Sequence, residues 1–301
     1  MAEPRDISPE KHVALVSWIA QGSWKTVCYF VDEENRISES TLHPGSGNWA
    51  GTKKVEDIES HGPIRSLDAT CAGDGEINLL YVANGKVHQW GYDLEDGKWV
   101  DYKLAFFRNV DVRKAVIISG PDDKDVAYLT REHDDRIYRL SRDAPFTKLG
   151  IEGFGLGEFQ KEEEVYSACA GPDGYIIYHK EIGGSEILLQ IWSIKGFGMY
   201  RDVWGRRFFY ENFMIHTVSR PRASPRVFLF NEEKIVECTE NGNGNIETAT
   251  VVDFEEKIPY ISIDGVSLGE MVCLVYGDRK TVKSVMIMSN GDGIVKMPDI
   301  K

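Results

Sequence analysis

No Cys-x-x-Cys pair occurs in the chain, and its five cysteines, Cys28, Cys71, Cys169, Cys238 and Cys273, are odd in number and widely spaced. That spacing supports neither a disulfide framework nor a thiolate metal site. Buried thiols are the expectation, since three of the five sit in apolar, strand-like runs. Positive charge is also short: 35 basic residues stand against 48 acidic ones, for a formal net charge of −13. Such a surface repels phosphate backbones and anionic lipid, so neither nucleic acid nor membrane is an expected partner. No apolar run approaches the length of a membrane span, and the opening Met-Ala-Glu-Pro-Arg-Asp carries no leader pattern. The expected setting is cytoplasmic. His43, His61, His88, His133 and His179 show no metal-ligand spacing, so no metal and no cofactor is expected. Gly153, Gly155 and Gly157 lack the strand and helix of a nucleotide loop. Neither a Gly-x-Ser-x-Gly nucleophile turn nor a repeated sialidase box is present.

What is present is a repeat. The apolar segments VCYFV, NLLYV, DVAYL, YIIYH, RVFLF and CLVYG carry aromatics at Phe30, Tyr81, Tyr128, Tyr178, Phe230 and Tyr276. These anchors recur roughly every 50 residues along the chain. A second, alternating segment follows each one after a short polar turn, and a third precedes it. Alternation of apolar and polar residues marks strands with one buried face. The intervening turns, such as AGDGE and AGPDG, have hairpin composition. A fourth strand per copy is expected near Trp49, Trp99 and Trp204. Six sheets of this kind predict an all-β fold, a six-bladed β-propeller of antiparallel sheets, with residues 1–301 as one domain of six repeats.

The stretches GNWAGTKKVEDIESHGPIRSLDAT, VHQWGYDLEDGKW and CYFVDEENRISES resemble the fungal fucose-specific lectins, which are six-bladed propellers. The resemblance implies sugar sites between blades, each built from a middle-strand Arg, a Glu on the next strand and an aromatic ring. Guanidinium and carboxylate hold hydroxyls in a fixed fork while the ring covers the apolar face of the sugar. Carried onto this chain, the Arg positions fall at Val27, near Asn78, near Asp125, near Tyr175, at Val227 or beside it at Arg226, and at Cys273. The Glu positions read Glu39, Gln89, Arg139, Leu189, Glu237 and Ser284. Glu39, Glu237 and Arg226 are therefore the vestigial sugar-site residues. Arg226 completes a fork only if it lies one residue from the aligned position, which on a strand would turn it to the other face.

The innermost strands carry unrepeated polar residues. Ser17, Asp68, His216, Ser262 and Asp264 share one alternating face, with Arg65, Lys114 and Tyr166 adjoining. A wet channel of satisfied groups is the structural reading; a single axial site is the functional one. Relatives of the resembled fold include hetero-Diels–Alderases of natural-product pathways, which implies a cofactor-independent cyclase or pericyclase. In that reading His216, Tyr166, Lys114 and Arg65 are catalytic, and Asp68, Asp264, Ser17 and Trp18 bind and orient. The alternative is a carbohydrate-binding lectin with altered, non-fucose specificity. Expected partners are a small organic ligand or a glycan, with a homodimer allowed.

Overall fold

The computed structural model describes residues 11–43, 46–71, 76–102, 112–119, 125–131, 137–141, 144–148, 163–171, 174–183, 186–195, 198–208, 214–220, 223–240, 246–258, 261–288 and 293–300, with backbone alone over 125–208. The first blade is β1–β4 (Val13–Ala20, Ser23–Val31, Ile37–Leu42, Lys53–Lys54). The second is β5–β8 (Ile64–Cys71, Glu76–Ala83, Lys86–Asp93, Lys98–Asp101). The third is β9–β12 (Val112–Ser119, Asp125–Arg131, Ile137–Ser141, Ala144–Lys148), and the fourth β13–β16 (Glu163–Gly171, Gly174–Gly183, Glu186–Lys195, Gly198–Phe208). The fifth is β17–β20 (Met214–Arg220, Ala223–Phe230, Lys234–Glu240, Ile246–Asp253), and the sixth β21–β24 (Ser262–Leu268, Met271–Gly277, Val282–Met288, Ile294–Lys296). Each blade is a four-stranded antiparallel sheet of consecutive strands.

Local chemistry explains the hairpins. β1 turns into β2 through Gln21-Gly22 (φ 52° and 74°), and β6 into β7 through Asn84-Gly85 (φ 50° and 70°). Positive φ at both central residues is the two-residue turn whose twist matches antiparallel strands. Middle strands are apolar nearly throughout: β6 is buried from Ile77 to Ala83 and β22 from Val272 to Gly277. They are covered by a blade on each side, so no solvent face imposes alternation. The third strands do alternate, as in β7, where Val87, Gln89 and Gly91 are buried.

The inner strands β1, β5, β9, β13, β17 and β21 neighbour one another in that order, and β21 returns to β1. The six blades thus form a closed ring. Apolar cores fill the seams. One joins Val16, Val27 and Tyr29 of the first blade to Leu67, Leu79 and Tyr81 of the second. Another joins Phe228 and Phe230 to Ile263, Leu274 and Tyr276. A third joins Leu15, Cys28 and Phe30 to Cys273 and Val275. Phe30, Tyr81 and Tyr276 therefore face the preceding blade, whereas Phe230 faces the following one. In the fifth blade the aromatic has moved by one residue, and Leu229 holds the phase of the other anchors.

Trp49 makes only an isolated bridge to Leu42, with the short β4 following it, while Trp99 and Trp204 lie in fourth strands as expected. Among the described residues Cys28, Cys238 and Cys273 are buried free thiols. Burial pushes Cys238 and Cys273 up to about 12, so both remain protonated and unreactive.

Candidate functional site

The displaced aromatic of the fifth blade decides where the fork falls. Counting three residues back from the phase-holding anchors gives Val27, Asn78, Cys273 and, from Leu229, Arg226. The residue after each anchor's partner on the third strand gives Glu39, Gln89, Ser284 and Glu237. Arg226 is thus in register with no slip, and its side chain turns toward the sixth blade, correcting the expectation of a shift to the wrong face. The same count gives Leu140 and Trp192 in the third and fourth blades, in place of Arg139 and Leu189.

Arg226 and Glu237 meet side-on: Nε donates to Oε1 and Nη2 to Oε2, a bidentate ion pair with both residues buried. The guanidinium lies 5.6 Å over the Phe228 ring, and Nη1 donates to the carbonyl of Met288 in the sixth blade (3.4 Å). Ile294, paired with Ile287 on the face of the sixth blade turned to the fifth, presents an exposed aliphatic side chain there.

Three other grooves hold different chemistry at the same positions. Between the second and third blades, Gln89 Nε2 donates to Asn78 Oδ1 (3.2 Å), a neutral replacement of the fork. Between the sixth and first, Cys273 and Ser284 occupy the positions, and Trp49 Nε1 donates to Ser284 Oγ (2.8 Å). Between the first and second, Glu39 is retained, but Val27 stands where the guanidinium would be. A cation arrives from another strand: Lys53 of β4 pairs with Glu39 at 2.8 Å, and that hydrogen bond raises the Lys53 ammonium above its usual value. Rings gather here, with Trp99 5.8 Å from Tyr29 and 5.0 Å from Tyr92. The fifth–sixth groove therefore keeps the charged fork, and the first–second groove keeps carboxylate and aromatics.

At the axis, the structure brings Asp68, Asp264 and His216 together around a residue that the sequence pattern did not single out, Lys11. Its ammonium bonds Asp68 Oδ1 and lies 3.2 Å from Asp264 Oδ2. His216 Nε2 is 3.2 Å from Asp264 Oδ1. The carboxylates are engaged elsewhere too: Asp264 Oδ2 accepts from Leu15 N–H (2.9 Å), and Asp68 Oδ2 from Ile117 N–H (2.7 Å). Burial opposes the charge on Lys11, but Asp264 and Asp68 outweigh it and raise its pKa above that of a free lysine. Burial likewise raises Asp68, with Lys11 working against the rise.

Ser262 joins the cluster's edge by accepting from His12 N–H (2.8 Å). Ser17 lies opposite Thr26, and Trp18 is half-buried against the core between the first two blades. Arg65 sits exposed at the β5 bulge, where its carbonyl accepts from Lys11 N–H, so the catalytic role expected for it at the axial cluster is not supported by its placement. The side chains of Lys114 and Tyr166 lie outside the described residues. Lys11 was legible only as a charged residue just ahead of the apolar run VALVSW, where no repeat position draws attention to it.

No protein-family model and no curated protein matches the sequence. Solved structures do match. A variant of the Aleuria aurantia lectin in complex with alpha-methyl-L-fucoside superposes with a TM-score of 0.72 at 17% identity, over 97% of this chain and 95% of that one. The SapL1 lectin, also in complex with alpha methyl fucoside, gives 0.63 at 16% identity over 96% of both chains. AofleA from Arthrobotrys oligospora gives 0.61 at 14% identity, over 96% of this chain and 87% of that one. At these identities the likeness establishes the six-bladed β-propeller fold, described for the Aleuria lectin in those words.

Proposed function

We propose that the chain is a carbohydrate-binding lectin of altered, non-fucose specificity, with the groove between the fifth and sixth blades as its sugar site. The observation that supports this is the Arg226–Glu237 fork. A buried ion pair is weak support for stability, because desolvation offsets its attraction. The scaffold also holds its seams with Asn78/Gln89 and Cys273/Ser284 at the same positions. A charged fork kept where the fold does without one elsewhere is the kind of group retained for a ligand. The exposed Ile294 on the facing side of the sixth blade suits the less polar face of a sugar. The groove between the first and second blades, with Glu39, Lys53 and Trp99, supplies a second candidate.

The test is titration of the purified protein against a panel of monosaccharides that includes alpha-methyl-L-fucoside. Saturable binding of a non-fucose sugar is expected, weakened on the order of tenfold or more in the Arg226→Asn/Glu237→Gln double variant, since a bidentate charged contact is lost. Undiminished binding in that variant removes the site. Strong fucoside recognition abolished by Glu39→Ala removes the non-fucose assignment. The cyclase expectation draws no comparable support: Asp68 and Asp264 are committed to Lys11 and to backbone amides. Acceleration of a candidate intermediate's cyclisation over buffer would revive it.

A further inference from the structure

The ring closes without strand exchange among the described residues: every sheet is four consecutive strands, and the first and last blades meet only side by side. A closed ring of this kind needs some other fastening where the chain ends meet. The Lys11-His12 dipeptide ahead of β1 touches three blades at once. Lys11 forms a parallel bridge with Ser66, donating its N–H to Arg65 O (3.0 Å) and accepting from Leu67 N–H (2.8 Å) in the second blade. His12 donates its N–H to Ser262 Oγ in the sixth blade (2.8 Å) and accepts from Val31 N–H in the first (2.9 Å). The Lys11 side chain then bridges Asp68 of the second blade and Asp264 of the sixth. Those two carboxylates each cap a neighbouring inner strand, at Ile117 and Leu15. Arg279, from the β22–β23 turn of the sixth blade, lies over the same corner. It donates to Ile64 O in the second blade (2.8 Å) and, at 3.4 Å, to Asn35 Oδ1 and His12 Nε2.

We propose that Lys11 is a ring latch: the segment entering β1 inserts its ammonium between two buried carboxylates on blades that flank the first, fastening the seam by an ion bridge instead of a shared strand. Withdrawing the segment removes the ammonium from between Asp68 and Asp264, leaving His216 beside Asp264 alone, so seating of the segment and closure of the seam form one conformational device. Buried like charges with their counter-ion removed repel strongly, which makes the closed state conditional on the latch. Each carboxylate also holds a backbone amide of another blade, Asp264 that of Leu15 and Asp68 that of Ile117, so the latch and these inner strands are tied together.

Hydrogen exchange on the full-length chain tests this. In Lys11→Met, which keeps the length of the side chain and removes its charge, the amides of Leu15, Leu67 and Ile117 are expected to exchange at least ~tenfold faster together, as one opening unit. The Lys11→Met/Asp68→Asn/Asp264→Asn variant, which removes the stranded charges, is expected to regain most of that protection. Unchanged exchange in Lys11→Met overturns the latch, and so does a triple variant no better protected than the single one. If neither variant folds, the unmodified protein decides: a shared opening rate for the three amides supports the latch, and independent rates refute it.

Discussion

The ion pair of the fifth blade offers a measurable separation of scaffold from site. Arg226 is 4% exposed and the Glu237 side chain 12%, and two charge-assisted hydrogen bonds join them. Replacing Glu237 by Gln leaves a buried guanidinium facing a neutral amide; replacing Arg226 by Asn leaves a buried carboxylate. Either loss of a buried partner is expected to cost about 3–5 kcal/mol. For a chain of 301 residues the entropy of unfolding is roughly 0.6 kcal/mol per degree, so about 4 kcal/mol corresponds to a midpoint lowered by about 6 °C. The double variant Arg226→Asn/Glu237→Gln installs the pair that the second blade already uses at 3.2 Å. It leaves no unpaired charge, and its remaining penalty is the space vacated over Phe228, on the order of 1–2 kcal/mol. Urea denaturation of wild type, both singles and the double closes a mutant cycle. The expected coupling is about 2 kcal/mol or more, the double being more stable than the sum of its parts. Strict additivity would show that the two residues do not act as a pair, and the reading of the groove would fall with it.

Two further outcomes follow from individual residues. His88 stacks between Tyr81 and His61, at 4.7 and 4.6 Å, and burial followed by the neighbouring His61 lowers its pKa from 6.5 to about 4. A depressed histidine favours the neutral form in the fold, so its stabilisation is complete above pH 6.5 and is lost as pH falls through 4. Partial solvent exposure screens the effect to about 1–2 kcal/mol, and thermal melts of wild type against His88→Gln between pH 7 and 4 should converge on acidification. Gly277, at φ 154°, ends β22, and a Cβ there would stand 1.9 Å from Thr281 O in the turn that carries Arg279. Gly277→Ala is expected to cost at least ~2 kcal/mol by chemical denaturation, because backbone and not a flexible side chain would have to move; an unchanged midpoint would contradict the geometry.

The repeat was legible because each middle strand is buried on both faces and must stay apolar, which leaves an aromatic-centred run at every blade. The fork positions at Val27, Asn78 and Cys273 followed from those anchors. Arg226 was ambiguous for a physical reason: Phe230 had moved to the following face, and an anchor displaced by one residue inverts every assignment counted from it. Asp68, His216 and Asp264 were legible together as polar residues on an inward face. Lys11 was not, since its partners lie 57 and 253 residues away and it belongs to no repeat position. Lys53 escaped for a similar reason, because it reaches Glu39 from a two-residue strand whose sequence follows no alternating pattern.

These two kinds of site answer to different constraints. A groove is bounded by two adjoining blades, so its polar pair can change without disturbing the rest of the ring. That freedom is visible in a charged fork, an amide pair, a thiol with a hydroxyl, and a carboxylate met by a lysine from another strand, all on one seam geometry. The axis is bounded by the inner strands of all six blades, and the charges placed there are largely buried. Two carboxylates on separate blades are tolerable only with a cation between them and backbone amides on their remaining oxygens, which is the arrangement Lys11, Leu15 and Ile117 supply. Substitution of a groove's polar pair is therefore expected to be tolerated one groove at a time, whereas substitutions at Lys11, Asp68 and Asp264 are expected to be tolerated only in combination.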